Sequence, residues 1–123
     1  MASVLCIGLD DAAMKTRKLI LEKSGHEVTQ ARDLLQVKTL CEVHSFSVAV
    51  LGQSLNSSEK MRIADTVLKY CKTAKILELH IGVGQELPSA DGHLQITASE
   101  PEGLLQAVNR LVRRAGKARP RSF

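Results

Sequence analysis

Four short apolar runs, SVLCI (3–7), SVAVL (47–51), KILEL (75–79) and HLQI (93–96), and a weaker one, HEVTQ (26–30), recur along the chain. All but KILEL lead into a stretch whose apolar residues return at helical spacing. A run that is apolar at successive positions suits a strand buried on both faces, as strands of parallel sheets are. Strand and helix alternating at about 20–25 residues per unit imply right-handed crossovers and helices on both faces of the sheet. The expected fold class is therefore α/β, a five-stranded parallel sheet sandwiched by helices.

The helical stretches can be placed from their caps and stripes. In the first, about 12–24, Ala12, Thr16, Leu19 and Ile20 share a face, Asp10 or Asp11 can cap it, and Gly25 closes it. The second, near 32–44, carries Leu34, Val37, Leu40 and Cys41. The third, 57–71, opens on Asn56-Ser57-Ser58-Glu59, which resembles a capping box, and buries Ile63, Ala64, Val67, Leu68 and Cys71. The last follows the capping box Ser99-Glu100-Pro101-Glu102, uses Leu104, Leu105, Val108, Leu111 and Val112, and stops by Gly116. Between the fourth and fifth runs lies HIGVGQELPSAD, whose two glycines and proline predict a loop.

Charge is distributed unevenly. The net charge of the 123 residues is +4, yet residues 113–123 hold five basic side chains and no acid, leaving residues 1–112 with 12 basic and 13 acidic groups. A near-neutral domain, 1–116, is expected to carry a basic tail, 117–123. Coulombic attraction could take that tail to phosphates or to an acidic partner. With two phenylalanines, one tyrosine and no tryptophan, the chain lacks a stacking platform, so nucleic acid is an unlikely partner. No apolar run spans a bilayer and no signal peptide opens the chain, so no membrane role and a cytoplasmic location are expected. Cys6, Cys41 and Cys71 lie far apart within apolar stretches and read as reduced core residues.

In a parallel sheet, ligands sit beyond the carboxyl ends of the strands. The candidates there are Gly8-Leu9-Asp10-Asp11, Gly52-Gln53-Ser54, His80 and Gln95 to Ala98. At those ends the succession VLCIGLDDAAMKTRKLILEKSGHEV resembles the opening of a response-regulator receiver domain. SFSVAVLGQSL resembles its third strand and phosphoacceptor turn, and ADGHLQITASEPEGLLQAVNRLVRR its fifth strand and last helix. The similarity covers about residues 3–115 and implies a CheY-like (flavodoxin-like) strand order, 2-1-3-4-5.

Carried over one position at a time, the resemblance implies a degenerate switch, or pseudo-receiver. The two acidic positions that hold magnesium in the family fall on Gly8 and Leu9, with Asp10 alone nearby, and the phosphoacceptor aspartate falls on Gly52. The hydroxyl position after strand four falls on Leu79 or His80, and the lysine after strand five on Gln95 or Ile96. One carboxylate is too few oxygen ligands for octahedral magnesium, and glycine offers no nucleophile. No metal or cofactor is expected, and no enzyme activity. Asp10 and Asp11 read better as helix caps than as ligands, and Ser54 has no base beside it.

The family's helix between strands four and five is expected to be shortened or absent, since only the 12 residues of HIGVGQELPSAD bridge them. That would leave a sheet face short of cover, making His93, Leu94, Leu104, Val108 and Leu111 the expected partner or dimer surface. His26, His44, His80 and His93 lack zinc-ligand spacing, and Gly82-Val83-Gly84 is a lone GxG outside any dinucleotide fingerprint. The resemblance thus implies a non-phosphorylatable interaction module of two-component-type signalling, binding a histidine kinase, another receiver or a second copy of itself as a homodimer. A small-molecule or nucleotide sensor on the same scaffold and tail-driven nucleic-acid binding are the alternatives.

Overall fold

In the computed structural model, which describes residues 2–81, 87–96 and 101–115, the elements in chain order are β1 (Ser3–Ile7), α1 (Asp11–Lys23), β2 (Glu27–Ala31), α2 (Leu34–Val43), β3 (Val48–Leu51), α3 (Ser57–Tyr70), β4 (Lys75–His80), β5 (Gly92–Gln95) and α4 (Pro101–Ala115). All strand pairs are parallel and the order is β2-β1-β3-β4-β5, as expected. The central strands alternate between two cores. Leu5, Ile7, Ala49, Leu51 and Ile76 pack under α2 and α3, whereas Val4, Cys6, Val48, Val50, Leu77 and Leu79 pack under α1 and α4. Both faces of β1, β3 and β4 are thus buried, which is why their sequences show no polar alternation.

Caps end the helices where the sequence placed them. Asp10 caps α1 by accepting the Ala13 N–H, and Asn56 and Glu59 complete a reciprocal capping box at α3. Gly25 adopts φ 90° just beyond the Ser24 C-cap, a backbone region costly for any residue with a Cβ. Among the described residues, nothing helical lies between β4 and β5; residues 88–89 form a turn and Leu87 is buried against the α2–α3 core. Gly82-Val83-Gly84, Ser99-Glu100, Gly116 and the basic tail lie outside the described residues. No described helix is long and apolar enough to cross a membrane.

Two expectations are corrected. The buried face of α1 is Met14, Arg17 and Leu21, not Ala12, Thr16, Leu19 and Ile20; Ala12 and Thr16 are exposed, and Leu19 is 54% exposed. An arginine at the centre of the buried stripe disguised it, so hydrophobic spacing selected the neighbouring face. The cysteines differ as well. Cys6 is a core residue, but Cys41 of α2 and Cys71 at the C-cap of α3 have Cα atoms 5.3 Å apart and form a disulfide. Their separation of 30 residues carries no pairing signal; side-by-side packing of α2 and α3 brings them together. Closing a loop of that length stabilises the fold by about 3–4 kcal/mol on the chain-entropy model.

Candidate functional site

The carboxyl ends of β1 and β3 meet at Gly8 and Gly52. The Gly52 N–H donates to the Ile7 carbonyl at 2.7 Å, and the Gly8 N–H to Ala31 at 3.2 Å. Side chains crowd around both glycines. A Cβ on Gly8 would stand 3.1 Å from the Met14 sulfur and 3.5 Å from Ser54 Oγ. Ser54 Oγ accepts the Leu9 N–H at 2.8 Å, tying the β3 end to the β1 end, so its hydroxyl is a structural acceptor. The Leu9 side chain is largely exposed and Asp10 is engaged as a cap.

Arg17 dominates this crest. It is 6% exposed, donates from Nη2 to Gln53 Oε1, and holds Nη1 3.1 Å from where a Cβ on residue 52 would lie. Burial lowers its pKa, while Cys6 and Asp10 favour the charged form. The same burial pushes the Cys6 thiol up to about 12, against the pull of Arg17, which removes Cys6 as a nucleophile. A guanidinium thus stands beside Gly52 at the end of β3. Magnesium does not fit these residues: Gly8, Leu9 and Gly52 provide no side-chain oxygen, and a fixed cation lies beside them. Among the described residues, no group of three or more His, Cys, Asp or Glu side chains could hold a metal ion.

A second buried polar centre lies at the β4–β5 corner. Glu78, on the face of β4 turned toward α3, is 2% exposed. Its Oε2 accepts from Lys60 Nζ at 3.0 Å, and its Oε1 accepts from the Leu87 N–H at 2.8 Å and from His93 Nδ1 at 2.9 Å. A carboxylate only accepts, so His93 carries its proton on Nδ1 in this contact. Lys60 also donates to the Leu79 carbonyl at 2.8 Å. Burial pushes the Glu78 carboxyl up, but the Leu87 N–H, His93 and Lys60 outweigh it and hold the group below the usual glutamate value. Beside it, Asp91 accepts the Ile76 N–H at 2.7 Å and returns its own N–H to the Ile76 carbonyl at 2.8 Å.

The remaining sequence candidates separate. Leu79 is fully buried under α4, while His80 is half-buried at the end of β4 and its carbonyl accepts the Ile96 N–H. Gln95 pairs in register with His80, and Ile96 packs on the α1–α4 core. His93 lies opposite Glu78 rather than His80. His26 meets Asn109 of α4 at 2.8 Å, and His44 lies beside Phe46. The expected partner surface needs correction. Leu104, Val108 and Leu111 are 3%, 0% and 2% exposed, and Leu94 packs with them. They are core because α4 lays this face on β3, β4 and β5; only His93 of the set stands on the other face.

Arg17, Lys60 and Glu78 escaped the sequence reading, although each left a trace. Lys60 continues the Ile63, Ala64, Val67 and Cys71 stripe one turn earlier, and Arg17 lies between Met14 and Leu21 at helical spacing. Glu78 interrupts a strand otherwise buried on both faces, where a charge requires a partner.

This geometry has relatives among solved structures. A CheY-like response-regulator receiver domain from Methanospirillum hungatei JF-1 shares 19% identity, covering 94% of this chain and 97% of its own, with a TM-score of 0.79. The receiver domain of a signal-transduction histidine kinase from Syntrophus aciditrophicus gives 13% identity, 100% and 98% coverage, and a TM-score of 0.80. A response regulator from Thermotoga maritima, solved in complex with Mg(2+)-BeF, gives 17% identity, 90% and 99% coverage, and a TM-score of 0.74. No family model matches the sequence, and no curated protein matches it. The chain has the fold of response-regulator receiver domains over nearly its whole length.

Proposed function

We propose that this chain is a receiver-type signalling module that does not take up phosphate and acts by binding a protein in trans. The observation that carries this reading is Arg17 beside Gly52: the nucleophile's position has no side chain, and a buried guanidinium faces it. Phosphotransfer to a receiver needs a carboxylate that attacks phosphorus and a divalent cation to gather the charge. Here the first is missing and the site of the second is unsuited to a metal. On this reading the domain is not an enzyme, works in the cytoplasm, and has a histidine kinase, another receiver or a second copy as its class of partner. Regulation then comes from abundance or from a partner that prefers one conformation.

The test is incubation with acetyl phosphate or phosphoramidate and magnesium, followed by intact mass measurement under mild conditions. The protein should remain unmodified. An acid-labile phosphoryl adduct would overturn the reading.

A further inference from the structure

With the last helix committed to the core, exposed apolar side chains must be sought elsewhere, and two of them, Leu34 and Leu35, lie together where α2 runs beside α3. A groove of about 490 Å³ runs between these helices. Leu34 and Leu35 of α2, 40% and 72% exposed, and Tyr70 of α3 line it. Lys38 and Lys69 bracket the tyrosine, their Nζ atoms 5.5 and 5.4 Å from its ring centroid. Asp65 and Thr66 complete the lining. The Cys41–Cys71 bond joins the two helices near the same end, so their spacing is set before any partner arrives. A preformed groove loses less entropy on binding than one that must open.

We propose that this groove docks an amphipathic helix of another protein, one carrying acidic residues beside its apolar stripe. Apolar side chains at i, i+3 and i+7 match a groove between two helices. The lysines, held at the ring face by cation–π attraction, supply complementary charge for glutamate or aspartate on the incoming helix. Against one acid in the lining, Asp65, stand two cations, so the groove favours an acidic occupant. A second copy is a poorer match at α4, whose exposed side presents Arg110, Arg113 and Arg114.

The inference rests on the binding role proposed above and names its partner class. Its failure is distinguishable, since peptide binding and phosphoryl uptake are separate readouts. The probes are two fluorescent helix-forming peptides of about 14 residues with leucine at i, i+3 and i+7, one flanked by glutamates and the other by lysines. Anisotropy with the full chain should show the glutamate peptide binding at least about tenfold tighter than the lysine peptide, with the preference shrinking as salt rises. Leu35→Glu should abolish binding. The double variant Lys38→Glu, Lys69→Glu should reverse the preference, which a merely structural role of these exposed lysines would not do. The proposal is overturned if neither peptide binds below about 1 mM, if both bind equally, or if charge reversal leaves the preference unchanged. Saturable association of the chain with itself that blocks the peptide would likewise overturn it in favour of a second copy.

Discussion

The crest at β1 and β3 and the corner at β4 and β5 both bury charge, but in opposite ways. At the crest a cation, Arg17, is matched by the neutral Gln53 amide and faces a glycine. At the corner an anion, Glu78, is matched by Lys60, His93 and a backbone N–H. Paired buried charges hold a structure firmly because removing one member strands the other, whereas a buried cation hydrogen-bonded to a neutral amide, with only the more distant Asp10 to favour its charge, is more of a cost to the fold. The crest therefore holds a cation against a glycine and a neutral amide, and the corner ties β4, β5 and α3 together through one shared carboxylate.

The largest expected effect belongs to the corner. Glu78→Gln leaves the Lys60 ammonium buried without its carboxylate and should lower unfolding free energy by about 3–5 kcal/mol, read from urea denaturation. A loss under about 1 kcal/mol would dissolve the contrast between the two regions. Acid titration provides a second measure. Because the folded carboxyl lies below its ordinary 4.5, its contribution is complete above that value and is lost as pH falls through the lower folded one. The Glu78→Gln variant should lack that part of the acid slope; an unchanged slope would show that other carboxylates carry it.

At the crest the effects are smaller. Gly52→Ala puts a Cβ 3.0 Å from the Ile7 carbonyl, a backbone atom that cannot step aside, and should cost about 1–3 kcal/mol. Gly52→Asp meets the same contact but supplies a carboxylate to Arg17, so it should be less destabilising than the alanine variant. An aspartate variant worse than alanine would show that Arg17 is already compensated. The smallest change is expected for Arg17→Met, which keeps volume and removes the buried cation: stability should stay within about 1 kcal/mol or rise. A fall of several kcal/mol by thermal or urea unfolding would place the crest in the same class as the corner.

Strand and helix placement were legible because they follow from local signals, whereas the order of the strands came with the resemblance to receiver domains. Consecutive apolar residues in SVLCI and SVAVL, the Asn56 to Glu59 capping box, and the loop residues after KILEL each state their conformation within a few positions. The absence of a carboxylate at Gly52 was equally plain, since a missing functional group needs no geometry to recognise. What replaced it was not plain. Arg17 shares its helix with several other basic residues, and only its reach to Gln53 and Gly52 distinguishes it as a buried cation. The last helix erred the other way: Leu104, Val108 and Leu111 announced an apolar face, but whether that face met the sheet or a partner depended on what else covered the strands.

By itself, then, the sequence determined the alternation of strands and helices, their caps, and the lack of side-chain oxygens at Gly8, Leu9 and Gly52, all properties carried by neighbours along the chain. Tertiary structure alone decided the Cys41–Cys71 bond, the Lys60–Glu78–His93 network and the α2–α3 groove. Each joins residues that the chain keeps far apart, and the energy of a charge or a thiol depends on what lies within a few ångströms of it rather than on what precedes it.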